Sequence, residues 1–162
     1  SKILVDKDVL IYCGHGSGTR YIPMLSLLRL SVRAVGLLFG CSSAALDQPG
    51  ALSDPAGVPF AYLAAGSPAV VGMLTSVTDR EADYLTLRLL RTWLDAPETP
   101  GEPPAELWEA VVRSREAPKF HVTRASLVMY GLPLVRTTGA AVCKPTGPAG
   151  HHKGFPVYEN AD

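Results

Sequence analysis

The chain has 162 residues, with 15 basic and 15 acidic side chains and no formal net charge; this fits one domain, or part of one, and argues against binding nucleic acid through bulk charge. Hydrophobic residues make up 47%, enough to build a core, which excludes a wholly disordered chain. Three cysteines (Cys13, Cys41 and Cys143) are too few for a disulfide scaffold and suit a reducing compartment, and no apolar run approaches the ~18 residues of a membrane span.

Ser1 leads into a strand pattern almost at once, with no secretory leader ahead of it, as in a piece cut from a longer protein. Val9-Leu10-Ile11-Tyr12-Cys13 is the first compact run. It is β-branched and aromatic, lacks alternation and stops at Gly14-His15-Gly16-Ser17-Gly18, the pattern of a strand buried on both faces. Met24 to Leu30 reads as a short helix with Leu25, Leu27 and Leu28 near one face. Arg33 to Gly40 gives a second buried strand, ending at Cys41-Ser42-Ser43. Residues 47–59 carry Asp47, Pro49, Gly50, Asp54, Pro55, Gly57 and Pro59 and form a loop. Phe60 to Ala65 predicts a small apolar helix closed by Gly66, and Ala69 to Leu74 a third buried strand.

Thr78 or Asp79 then caps a long helix with Leu85, Leu87, Leu89, Leu90, Trp93 and Leu94 as its apolar positions, and Asp79 and Glu81 favour its N-terminus. Residues 95–104 form a linker or surface loop. Ala105 to Ala117 predicts an amphipathic helix burying Leu107, Trp108, Val111 and Val112. Leu127 to Val135 is apolar again and contains Tyr130-Gly131-Leu132-Pro133. From Gly139 the chain is rich in Gly, Pro, Lys and His without periodicity, which predicts a flexible tail over 139–162 and a domain over 1–138.

Strands and helices alternating at this spacing predict βαβ units and a parallel sheet, an α/β fold. Three strands are fewer than a doubly wound sheet usually has, so further strands are expected upstream. In such a sheet the chemistry sits beyond the carboxyl ends of the strands. His15 follows the first strand and Cys41 the second, and neighbouring strands lie ~4.8 Å apart. Their loops can therefore bring an imidazole and a thiol together, the pair a cysteine protease needs. The backbone N–H groups of Gly16 and Cys41 could form an oxyanion hole. Two plainer readings stand beside this one: a buried small residue for Cys41 and an ordinary loop histidine for His15. The glycine loop completes neither Gly-x-Ser-x-Gly nor Gly-x-Gly-x-x-Gly and lacks a P-loop's Lys-Ser/Thr, although a phosphate cradle stays open as an alternative. Cys13 lies inside the strand and reads as core. Cys143 reads as a free thiol in the tail. His121 is alone, and His151-His152 has no partners at metal-ligand spacing.

Tyr12-Cys13-Gly14-His15-Gly16-Ser17-Gly18-Thr19-Arg20-Tyr21 and Leu37-Leu38-Phe39-Gly40-Cys41-Ser42-Ser43-Ala44-Ala45-Leu46 resemble the catalytic domain of the separases, caspase-like cysteine endopeptidases of chromosome segregation. Tyr62-Leu63-Ala64-Ala65-Gly66-Ser67-Pro68, Val77-Thr78-Asp79-Arg80 and Tyr130-Gly131-Leu132-Pro133 follow in the family's order, so the resemblance runs from about Val9 to Val135. It implies a caspase-like three-layer α/β sandwich with a mainly parallel sheet, His15 as catalytic histidine and Cys41 as nucleophile, and no metal or organic cofactor. It also implies a substrate, the kleisin subunit of cohesin, cut after an arginine. Partners implied are a securin-like inhibitor that occupies the site as a pseudosubstrate and the N-terminal helical region of the same full-length protein. The place of action implied is the cytoplasm and nucleus. An arginine pocket needs a carboxylate; Asp79 and Asp83, four residues apart and so on one helix face, are the candidates. Two departures stand out. Thr75 and Ser76 replace the family's usual Trp-Asp, and Cys13 replaces a usual aromatic. The bacterial CHAT proteases share the His-Gly and distant-Cys pattern, and a non-catalytic caspase-like scaffold that binds a peptide without cutting it is a further alternative.

Overall fold

The structure, a computed structural model, describes residues 2–48, 50–51, 53–95 and 102–136. The predicted tail over 139–162, with Cys143 and His151-His152, and most of the linker over 95–104 lie outside the described residues.

Four strands form one sheet in the order β1 (Val9–Tyr12), β2 (Val35–Leu38), β3 (Ala69–Met73), β4 (Leu127–Gly131). The first three are parallel, as the βαβ spacing predicts, and β4 runs antiparallel against β3, pairing Met73 with Leu127 and Ala69 with Gly131. Helices cover both faces. α4 (Asp79–Leu94) and α5 (Leu107–Ser114) pack one side, where Val35, Leu37, Val71 and Met73 meet Leu85, Leu89, Trp93 and Val111. α1 (Lys2–Asp6), α2 (Met24–Leu27) and α3 (Val58–Ala64) pack the other, where Leu38 and Val70 meet Leu4, Leu27, Ala61 and Tyr62. β2 and β3 are buried throughout. They are the central strands and have helices on both faces, which is why their sequences run apolar without alternation.

Several expectations are corrected here. A short helix, α1, precedes β1, where the sequence suggested immediate entry into a strand. β1 is not buried on both faces: it is an edge strand among the described residues, and Ile11 is 44% exposed. α2 makes barely one turn, too short to build a face. It buries only Leu27, and Leu25 and Leu28 point outward. α3 starts at Val58 rather than Phe60, because Pro59 suits a helix's first turn. Ala65 is its C-cap, and the next residue, Gly66, takes φ +104. On α4 the buried stripe is Ala82, Leu85, Leu89 and Trp93, with Leu87 exposed. α5 buries Leu107, Ala110, Val111 and Ser114, an i, i+3, i+4, i+7 stripe. Trp108 and Val112 fall one position past that stripe and are exposed.

Thr78 occupies the N-cap of α4 without a side-chain cap hydrogen bond. Glu81, expected only to favour the helix N-terminus, is buried and crosses to the α5–α6 connection, where α6 spans His121–Ser126. Its Oε2 accepts from Lys119 N–H at 2.8 Å and Phe120 N–H at 3.1 Å. Glu81→Ala orphans both donors and is expected to destabilise the domain by ~2–4 kcal/mol. A lower urea midpoint than wild type measures this, and Glu81→Gln, which keeps one acceptor oxygen, is expected to lose less.

Candidate active site

β1, β2 and β3 end at the same edge of the sheet, and the loops that follow them build the site. After β2, residues 41–45 make a tight turn. Ser42 adopts φ +53, a left-handed conformation uncommon for a non-glycine residue. The turn is sewn to β3 and the loop after it: Ser42 N–H donates to Thr75 O at 3.1 Å and Ala44 N–H to Met73 O at 2.9 Å. Ser43, buried, donates its hydroxyl to Leu38 O and accepts from Met73 N–H at 3.0 Å. Ser43 N–H goes to Gly40 O and Ala45 N–H to Ser42 O. Cys41 N–H is left without a protein acceptor among the described residues. Gly72 in β3 permits this packing: a Cβ there would stand 2.8 Å from both Ala44 Cβ and Ser43 Oγ.

After β1, Tyr12 shapes the histidine loop. Its hydroxyl donates to His15 O at 2.8 Å, and its ring lies where a Cβ on Gly14 or Gly18 would reach. Gly16 and Gly18 take φ +64 and +76, so glycine is the residue that fits both. Gly16 N–H, like Cys41 N–H, has no protein acceptor among the described residues. Phe39 N–H donates to Tyr12 O at 2.8 Å, extending the β1–β2 ladder up to the two loops. Gly40 brings the loops into contact. A Cβ on Gly40 would fall 2.6 Å from Gly14 O and closer still to Gly16 O. The backbone just before Cys41 therefore lies directly against the residues on either side of His15.

A cleft of about 280 Å³ beside His15 is lined by Cys13, Gly14, Phe39, Asp79, Asp83 and Thr86. The structure thus brings His15, Asp79 and Asp83 to one cleft. Cys41 is on the adjoining loop and half-buried, and its Sγ is engaged with Val77: the thiol donates to Val77 O at 3.3 Å, and Val77 N–H donates to the sulfur at 3.4 Å. A larger hollow of about 650 Å³ borders the nucleophile loop and is lined by Ser17, Thr19, Met24, Ser42, Asp47 and Val58, among others.

Cys13 corrects an expectation. It lies one residue past the end of β1, exposed, on the wall of the His15 cleft, and is not core. The apolar run read as one strand because Cys13 continues it, but β1 closes at Tyr12. Partial burial of the thiol and then the Asp83 carboxylate push the Cys13 pKa up, which keeps that sulfur protonated and a poor nucleophile.

Val77, Ser43, Tyr12 and Tyr130 were not singled out from the sequence for the structural roles they hold. Tyr130 donates its hydroxyl to Ala44 O at 3.1 Å. The motifs around them were visible; apart from Tyr12 to His15 and Ser43 to Leu38, their pairings join residues 30 and more positions apart, and none carries a periodic signal. Among the described residues no group of three or more His, Cys, Asp and Glu is placed to hold a metal ion, and no helix is long and apolar enough to cross a membrane.

A family profile described as "Separin, protease domain" matches residues 1–82. Curated relatives include Separin of Mus musculus, 46% identical over 132 residues that cover 81% of this chain and 6% of that protein. Separin of Schizosaccharomyces pombe is 37% identical over 134 residues, 82% of this chain and 7% of the relative. Separin of Saccharomyces cerevisiae is 31% identical over 137 residues, 82% of this chain and 8% of the relative. The chain therefore spans less than a tenth of the length of these relatives. Among solved structures, a crystal structure of the Saccharomyces cerevisiae separase–securin complex matches with a TM-score of 0.73 and 32% identity, over 82% of this chain and 9% of the solved one. The mixed four-stranded sheet with flanking helices is the fold of that domain.

Proposed function

The chain belongs to the separin protease-domain family, and on that premise we propose that it is the catalytic part of a cysteine endopeptidase. His15 takes the Cys41 thiol proton as Sγ attacks the scissile carbonyl carbon, and the carbonyl electrons move onto oxygen. Gly16 and Cys41 N–H groups, on the two touching loops, hold that oxyanion. As the oxyanion collapses, the C–N bond breaks and His15 gives that proton to the leaving amine, which leaves the acyl group on sulfur. His15 then takes a proton from water, the hydroxide adds to the acyl carbon, and the C–S bond breaks as the proton passes to the sulfur, releasing the acid and restoring the thiol. The observation that carries this reading is the pair of N–H groups at Gly16 and Cys41 that have no protein acceptor among the described residues, on loops whose backbones touch at Gly40. Once the thiol has lost its proton, only the bond from Val77 N–H survives, and the sulfur faces the Val77 carbonyl oxygen. That repulsion favours turning the sulfur away from Val77 for attack.

The substrate in this reading is the kleisin subunit of cohesin, cut after an arginine whose guanidinium enters the cleft beside Asp79 and Asp83, both exposed at the start of α4. A securin-like inhibitor occupies the same cleft as a pseudosubstrate, and the helical N-terminal region of the full-length protein is the second partner. The protein then acts in the cytoplasm and nucleus. The test is incubation of the full-length protein with a kleisin fragment. Cleavage after arginine that stops when the arginine becomes alanine supports the reading, and cleavage indifferent to that residue contradicts it. The carboxylates have their own expected result. Asp79→Asn and Asp83→Asn each lower kcat/KM for arginine peptides by about tenfold, with the double variant lower still, since a charge-assisted hydrogen bond is worth ~1.5–3 kcal/mol. Normal cleavage by the double variant would move the arginine pocket elsewhere.

A further inference from the structure

We propose that Tyr130 is a positioning residue for the nucleophile: its hydroxyl, reaching from β4 to the Ala44 carbonyl, fixes the turn that carries Cys41. The inference rests on the reading of Cys41 as nucleophile. Ala44 is fully buried, and its peptide groups are held on both sides. Its N–H donates to Met73 O in β3, and its carbonyl accepts from Tyr130 in β4 at 3.1 Å, across 86 residues of chain. The tyrosine has little slack. Its ring packs edge-on against Phe60 of α3, with centroids 5.8 Å apart and planes at 76°. The strand end beyond it is clamped to the loop before β3. Gly131 has φ +118, a Cβ on it would stand 2.7 Å from Ala69 Cα, and Leu132 N–H donates to Pro68 O at 2.9 Å. Tyr130-Gly131-Leu132-Pro133, which carries no chemistry of its own, is thereby a strut that ends on the nucleophile loop.

The strut's effect follows from where the turn is left free. The N–H groups of Ser42, Ser43, Ala44 and Ala45 are all taken. Deleting the Tyr130 hydroxyl leaves the buried Ala44 carbonyl without that donor, and the turn relaxes to find another. That motion displaces Cys41 Sγ and its N–H relative to the His15 loop. Tyr130 lines neither the His15 cleft nor the hollow beside Ser42 and Ser43.

The experiment uses the full-length protein, with active sites counted by a thiol-directed electrophile so that kcat is expressed per competent site. Tyr130→Phe is expected to lower kcat per site about tenfold with KM unchanged, as a small misplacement of reacting groups does. Phe60→Leu, which loosens the ring and keeps the hydroxyl, is expected to lower the melting temperature and to lower kcat per site by less than Tyr130→Phe does. Wild-type kcat in Tyr130→Phe, a loss carried wholly by KM, or an equal kcat loss in Phe60→Leu would overturn the proposal. Cys41→Ala, run alongside, tests the reading beneath it. If cleavage survives that variant, the nucleophile lies elsewhere and the proposal falls with it; if cleavage is lost while Tyr130→Phe is unaffected, only the proposal falls.

Discussion

Cys41→Ser in the full-length protein is expected to abolish cleavage while keeping the fold. A hydroxyl fits the same space and can still exchange hydrogen bonds with Val77, whose N–H and carbonyl flank the sulfur. It is a far weaker nucleophile than a thiolate without a strong base. His15→Ala is expected to do the same, because the acid–base group contributes ~10²–10⁴-fold. The loop around it keeps its shape, since Tyr12 holds the backbone carbonyl of residue 15 and not its side chain. Cys13→Ala separates the two thiols. Cys13 is exposed on the cleft wall, so its truncation is expected to cost little stability and to leave cleavage in place. Turnover by each variant, set against its circular-dichroism melting curve, checks all three. Undiminished cleavage by Cys41→Ser would contradict the assignment.

Gly40→Ala carries the second large effect, although residue 40 touches no substrate atom in the mechanism. The added methyl would fall on Gly16 O and within 2.6 Å of Gly14 O. Both obstacles are backbone, so neither can rotate aside as a long side chain would. The histidine loop must retreat by about 1 Å, which misplaces the imidazole and the Gly16 N–H together and is expected to cost about 100-fold in kcat/KM. Substrate groups bound only in the Asp79–Asp83 cleft are affected less, so kcat is expected to take more of the loss than KM. Cleavage at the wild-type rate would show that the contact at Gly40 does not set the catalytic geometry.

The central strands were legible because burial on both faces writes itself into composition. Val35–Leu38 and Ala69–Met73 have no solvent-facing position to fill with a polar residue. β1 misled for the opposite reason. An edge strand also tolerates apolar residues, and nothing in the run distinguishes Tyr12, the last paired residue, from Cys13 beyond it. The expected buried face of α5 was too wide: Leu107 and Val111 are buried as expected and Trp108 and Val112 are exposed, since Leu107-Trp108 and Val111-Val112 offer two equally apolar stripes. The choice between them falls to α4 and the sheet, which take Leu107 and Val111. At the site, His15 and Cys41 could be proposed from topology, because parallel strands bring successive loops to one edge. Asp79 and Asp83 could be paired by helix spacing, and both face the cleft. Ser43, Val77 and Tyr130 were invisible as parts of the site: their roles rest on hydrogen bonds to residues 30 to 86 positions away, and Ser43 adds one to Leu38 five positions back.

The central claim is that the thiol at residue 41, served by His15, is the nucleophile. The most direct measurement treats the full-length protein with an arginine-directed electrophilic peptide and locates the adduct by peptide mass spectrometry, in wild type and in His15→Ala. The predicted result is an adduct on Cys41 alone, formed much more slowly in His15→Ala, with Cys13 unmodified in both. An adduct on Cys13, or labelling of Cys41 at the same rate with and without His15, would contradict it. Binding of the peptide with no adduct at all would favour a scaffold that holds peptides without cutting them.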